Sequence, residues 1–134
     1  MPGYSGTPLA KKLGIKEEMP LAVLNAPAGY RSWLEPLPAG VTIASTLRPK
    51  APAVHLFTTT LRDLETALPR LRKRIDAAGF VWVSWPKKSS AVPTDVTEDA
   101  IRGVALPLGF VDVKVCAVTD VWSGLKLVVR KSER

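Results

Sequence analysis

Cysteine and histidine are almost missing from this chain: Cys116 and His55 occur once each in 134 residues. A lone thiol excludes an internal disulfide and fits a reducing compartment. One thiol and one imidazole cannot furnish a Cys/His zinc site within one chain. Long apolar runs are missing too, since none approaches the ~20 residues of a membrane span. The first residues lack a basic region followed by a continuous apolar stretch, the pattern of a secretory leader. The expectation is a cytoplasmic protein without a membrane partner. Also absent are a P-loop, a Ser/His/Asp order, metal-ligand spacing and internal repeats, so no motif names a reaction.

Acidic residues are in deficit, 12 against 19 basic ones, for a formal charge of +7. Such a balance suits acidic partners: a small anionic ligand, an acidic protein or nucleic acid. The positive charge is dispersed, however, with tight groups only at Lys11-Lys12, Arg70 to Arg74 and Lys87-Lys88. Nucleic acid is therefore the weaker expectation, because no recognised binding motif accompanies the charge. With 46% apolar residues the chain can bury a core, and its length suits one domain over residues 1–134.

The central stretch is Gly79-Phe80-Val81-Trp82-Val83-Ser84-Trp85-Pro86-Lys87-Lys88-Ser89-Ser90. A short apolar strand there opens abruptly into a polar, cationic loop. Residues 1–19 read as an arm and a short helix, with Thr7 as cap, Pro8 in the first turn and Gly14 as stop. Apolar runs at 20–27, 41–44 and 53–58 suit strands buried on both faces. From Leu61 the period changes: Leu61, Leu64, Leu68, Leu71, Ile75 and Ala78 mark one stripe of an amphipathic helix. Thr60 can cap it, Gly79 would end it, and Pro69 predicts a kink or two stacked helices. Asp95 and Glu98 form a capping-box-like pair for a second helix reaching Leu106. Residues 110–118 and 125–130 alternate as strands of an antiparallel pair at the sheet edge, with Trp122-Ser123-Gly124 in their connection. The fold class is α/β: a small three-layer Rossmann-like domain whose sheet of about six strands is mainly parallel, with a C-terminal antiparallel pair.

The run from Ala53 to Lys88, strand, long helix, Gly, then a strand ending in Pro-Lys, resembles the second half of class I methyltransferase-like Rossmann domains. The two final strands resemble the reversed pair that completes that fold. The segments Tyr4-Ser5-Gly6-Thr7-Pro8-Leu9-Ala10-Lys11-Lys12-Leu13-Gly14-Ile15, Val83-Ser84-Trp85-Pro86-Lys87-Lys88, Asp112-Val113-Lys114-Val115-Cys116-Ala117-Val118 and Trp122-Ser123-Gly124-Leu125-Lys126-Leu127-Val128 are similar to a family of short bacterial proteins of unknown function. The methyltransferase resemblance implies a site for S-adenosylmethionine (AdoMet), built in that fold from a Gly-rich turn after the first strand and an acidic residue ending the second. Here the turn is Asn25-Ala26-Pro27-Ala28-Gly29, with a single glycine, and Ser45, Thr46 and Leu47 follow the second strand. Both departures weigh against AdoMet, so the expectation is no cofactor, with AdoMet disfavoured.

The candidate ligand site lies at the C-terminal rim of the sheet, where open α/β sheets bind their ligands. Lys87, Lys88 and Ser89 supply cations and a hydroxyl for an anion, and Trp85 an apolar wall. Trp122 is a second wall for a planar ligand, while Thr58, Thr59 and Asn25 end neighbouring strands. His55, between Val54 and Leu56, reads as a satisfied core histidine rather than a base, and Cys116 as an inert thiol. These readings favour a non-catalytic or degenerate methyltransferase-like domain that binds a small anionic or planar ligand, or an acidic protein, at the rim. The alternatives are a divergent AdoMet-dependent methyltransferase and nonspecific nucleic-acid binding.

Overall fold

The computed structural model describes residues 7–134; the arm through Tyr4, Ser5 and Gly6 lies outside the described residues. The strands are β1 (Pro20–Leu24), β2 (Thr42–Ala44), β3 (Ala51–Phe57), β4 (Ile75–Pro86), β5 (Phe110–Ala117) and β6 (Trp122–Val129). They form one sheet of order β2-β1-β3-β4-β6-β5. The first four are parallel, and β6 runs antiparallel to both β4 and β5. The α/β class, the mainly parallel sheet and the C-terminal antiparallel strands agree with the expectation.

Helices cover both faces because the central strands are apolar on both sides. In β3, Val54 and Leu56 join a layer with Leu64, Leu68 and Leu71 of α3 (Leu61–Arg74) and Ile101 and Ala105 of α4 (Glu98–Ala105). Ala53 and Phe57, on alternate positions, join the opposite layer. There they meet Leu9 and Ala10 of α1 (Leu9–Lys12) and Tyr30 of α2 (Tyr30–Trp33). The short α1 is followed by Gly14 at φ +79°, a conformation that suits glycine.

Several local readings change. Pro8, not Thr7, stands at the cap position of α1, with no side-chain cap hydrogen bond. The helix α3 is one 14-residue element through Pro69 and stops at Arg74, where Ile75 turns extended. Gly79 therefore lies inside β4, not at a helix end. A Cβ there would sit 2.9 Å from the carbonyl oxygens of Ala51 and Pro52, so glycine permits the close pass at the register shift between β3 and β4. Trp122, Ser123 and Gly124 begin β6, opposite Pro86, Trp85 and Ser84, so β6 is an interior strand and β5 the edge. A Cβ at Gly124 would approach the Trp82 ring to 3.1 Å.

The carboxylates after the cationic loop divide their work differently from a capping box. Thr97 caps α4, its Oγ1 accepting from the Ala100 N–H at 3.0 Å. Asp95 accepts instead from the Leu61 N–H of α3 at 2.6 Å, and Thr94 Oγ1 donates to the Thr59 carbonyl at 2.7 Å. Arg102 joins Glu98, Asp99 and Asp112, each at 3.0 Å. This loop is thereby tied across the end of β3 and the start of α3. Among the described residues no helix is long and apolar enough to cross a membrane.

Candidate functional site

The chain leaves β1 toward β2 on one side and leaves β3 toward β4 on the other, although β1 and β3 are neighbours. Connections that diverge in this way open a crevice at the strand C-termini, the topological switch point. Asn25 follows β1 at φ +60° and Gly29 precedes α2 at φ +86°, so left-handed residues stand at both ends of the loop between them. The Asn25 side chain donates from Nδ2 to the Phe57 carbonyl at 3.2 Å, fastening this loop to β3. A pocket of about 200 Å³ lies here, lined by Asn25, Phe57, Thr58, Thr59, Asp63 and Trp122. Thr58 is buried; its N–H donates to the Ser84 carbonyl at 3.0 Å and its hydroxyl to the Thr60 carbonyl at 3.0 Å.

The structure brings Asn25, Thr58 and Thr59 together and sets the other sequence candidates apart from them. Trp85 and Lys88 line a separate cavity of about 380 Å³ with Glu98, Asp99 and Arg102, so that cavity holds both signs of charge. Lys87 and Ser89 line neither space. The backbone of Lys87 donates to the Val121 carbonyl at 2.7 Å and accepts from Ser90 Oγ at 2.6 Å, which fixes the turn. Trp85 and Trp122, read as walls of one pocket, stand on different ones. A groove of about 420 Å³ runs beside Pro20, Ala51 and Pro52, at strand starts rather than the C-terminal rim.

Beneath the switch-point pocket is a polar chain that the sequence reading left incomplete. His55 is 1% exposed; its Nδ1 lies 2.7 Å from the Tyr30 hydroxyl and its Nε2 2.7 Å from Ser84 Oγ. The reading of His55 as a satisfied core histidine agrees with this geometry. Burial pushes its pKa down to about 3, so the imidazole is neutral, with one nitrogen donating and the other accepting. Burial also raises the Tyr30 phenol, keeping it protonated. The available signals were Ser84, a polar residue in step with Phe80 and Trp82 along β4, and Tyr30 and Trp33, three apart on a short helix. Asp63 carried no signal beyond helix charge. Burial raises the Cys116 thiol, with Lys12 and Lys114 pulling the other way. Among the described residues no group of three His, Cys, Asp or Glu could hold a metal ion.

No protein-family model and no curated protein sequence matches the chain. Solved structures do. A SAM-dependent methyltransferase from Aquifex aeolicus is 14% identical with TM-score 0.64, over 90% of this chain and 88% of that one. The Methanococcus jannaschii fibrillarin pre-rRNA processing protein is 12% identical with TM-score 0.63, over 96% and 71%. A variant of the 16S rRNA (adenine(1408)-N(1))-methyltransferase from Catenulisporales acidiphilia is 15% identical with TM-score 0.55, over 94% and 92%. These neighbours overturn the expectation of no cofactor with AdoMet disfavoured: the fold over nearly the whole chain is that of proteins described as methyltransferases, one of them SAM-dependent. The single glycine after β1 and the hydroxyls after β2 are too narrow a basis for disfavouring it. At this identity the likeness speaks of architecture, and the chain has the class I methyltransferase-like Rossmann fold.

Proposed function

We propose that this chain is an AdoMet-binding methyltransferase domain whose cofactor site is the crevice between β1 and β3. The observation that carries the reading is the switch-point pocket itself, where two left-handed residues, Asn25 and Gly29, bound the first loop and Asn25 lines the wall with Thr58 and Thr59. The residues there fit the cofactor in kind. AdoMet presents an ammonium group, ribose hydroxyls and an aromatic base. Asp63, on the pocket wall, supplies the carboxylate absent after β2; it accepts from ammonium or hydroxyl groups. Thr58 and Thr59 offer hydroxyl and backbone groups, and Trp122 an aromatic wall. Bound AdoMet would supply a methyl group activated on a sulfonium; the chain's own part is to hold that group at the rim and keep bulk water from one side of it.

The net charge of +7 favours an acidic methyl acceptor, an acidic protein or a nucleic acid. Lys87 and Lys88 lie on the same rim, where they would meet the acceptor rather than the cofactor. Calorimetric titration with AdoMet tests the cofactor site. Wild type is expected to bind with a one-to-one stoichiometry, and Asp63→Asn to bind about tenfold more weakly, ~1.4 kcal/mol. Absence of binding at millimolar AdoMet would overturn the proposal. Transfer of labelled methyl to acidic protein or to RNA, with its salt dependence, then separates the acceptors.

A further inference from the structure

Tyr30, His55 and Ser84 are buried polar side chains in the mainly apolar layer between the sheet and α1 and α2, which also holds the indole N–H of Trp82. Three polar groups in such a place cost stability unless each is hydrogen-bonded. Here they form one chain, with 2.7 Å on each side of the imidazole. The protons run one of two ways: Tyr30 donates to Nδ1 and Nε2 donates to Ser84, or Ser84 donates to Nε2 and Nδ1 donates to Tyr30. In both, the imidazole fixes the distance between α2 and β4 through β3.

Each member is also tied to a different wall of the switch-point pocket. Tyr30 follows Gly29 directly, and so anchors the far end of the loop that begins at Asn25. His55 stacks on Phe57, with ring centroids 4.3 Å apart and planes 22° from parallel. The Phe57 ring in turn meets the edge of Trp122 at 5.0 Å, and its carbonyl accepts from Asn25. Ser84 holds the amide of Thr58 through its carbonyl. A network of this kind rigidifies one arrangement in a way that an aliphatic layer, free to repack, does not.

We infer that Tyr30, His55 and Ser84 are positioning residues of the switch-point pocket, acting through Phe57, Asn25 and Thr58 to hold its three walls at fixed separation before a ligand enters. The cofactor arm of the test rests on the AdoMet reading above; the geometric arm does not. Tyr30→Phe and Ser84→Ala each remove one hydroxyl and little volume. Ile101→Val, in the layer on the other face, serves as the packing control.

Each chain variant is expected to weaken AdoMet about tenfold, and the double variant little more than either single one, since one broken link already frees the chain. The control is expected to lower the melting temperature and leave AdoMet affinity within about twofold. In the ligand-free protein, the side-chain amide signal of Asn25 and the backbone amide signals of Thr58 and Thr59 are expected to move or broaden in the chain variants alone. AdoMet binding in wild type with unchanged affinity in both variants would overturn the positioning role while leaving the cofactor site intact. No AdoMet binding by wild type would overturn the cofactor site; the amide signals would then decide, and their staying in place in both variants would overturn positioning as well.

Discussion

The two faces of the sheet are built by different means. Against one lie α3 and α4, whose buried Leu64, Leu68, Leu71 and Ile101 meet Val54, Leu56, Val81 and Val83 in an almost wholly aliphatic layer. Against the other lie two helices of only four residues each, α1 and α2. Helices this short do not persist by themselves. They are held by individual contacts: Trp82 Nε1 donates to the Leu13 carbonyl at 2.8 Å, and Tyr30 reaches His55. Aromatic rings meet there edge to face, Phe57 receiving Tyr30 at 5.4 Å and Trp122 at 5.0 Å. The aliphatic face stabilises by area, and the aromatic face by directed contacts, the kind that hold a pocket's shape.

The largest effect that tests this division is on the aliphatic side. Leu68 has no exposure, and Leu68→Ala is expected to cost about 2–5 kcal/mol through lost burial and the cavity left behind. Urea unfolding measures it. Well below the lowered melting temperature, ligand affinity at the rim should be unchanged; a parallel loss of affinity would break the comparison.

The next effect belongs to the aromatic side and depends on pH. His55 has its folded pKa lowered to about 3 against an ordinary value of 6.5. Between those values the unfolded chain binds the proton and the native one does not. Its stabilising contribution is therefore complete above 6.5 and is lost as pH falls toward 3, with a slope approaching about 1.4 kcal/mol per pH unit. Melting curves from pH 7.5 to 4.5 should show this slope in wild type and a shallower one in His55→Gln. Equal slopes would assign the acid sensitivity elsewhere.

The same division governs what could be read without coordinates. The aliphatic face was legible because Leu61, Leu64, Leu68 and Leu71 repeat at helical spacing and Thr60 stands at the start. Its end was misjudged, since Gly79 reads as a helix stop yet serves a close pass of β4 against Ala51 and Pro52. On the aromatic face the elements are too short for periodicity, and the partners of His55 lie 25 and 29 residues away. Asn25, Thr58 and Thr59 could be placed on the rim because strand ends are visible in sequence. Their separation from Trp85 and Lys88 depends on which face of the sheet each residue takes. The carboxylate on the pocket wall, Asp63, was illegible for a related reason: it comes from α3, a segment that the pattern of a Gly-rich turn after β1 and an acid after β2 does not include.

A smaller effect isolates one directed contact. Trp82→Phe keeps an aromatic ring but leaves the Leu13 carbonyl without its indole donor, and should cost about 1–3 kcal/mol. Proteolysis after Lys11 or Lys12 should rise in this variant more than in Leu68→Ala matched for stability, because the other side-chain hydrogen bond from the sheet to α1, Lys114 Nζ to the Lys12 carbonyl at 3.3 Å, is exposed. Equal cleavage would mean that α1 is held by apolar area after all, and the two faces would then differ less than their geometry implies.

The smallest effect lies where the faces meet, at the first turn of α3. Two side chains hold that turn: Thr60 Oγ1 accepts from the Asp63 N–H at 3.1 Å, and Asp95 Oδ1 from the Leu61 N–H at 2.6 Å. Thr60→Ala removes one cap and should cost about 1 kcal/mol in urea unfolding, with the dependence on urea unchanged. Asp63 lines the switch-point pocket, so the same substitution also loosens a pocket residue from the aliphatic side. AdoMet affinity should therefore fall slightly, by about twofold, in Thr60→Ala and stay put in Leu68→Ala, although Leu68→Ala is the more destabilised protein. That inversion is the sharpest form of the comparison, because a site that merely followed global stability would rank the two variants the other way.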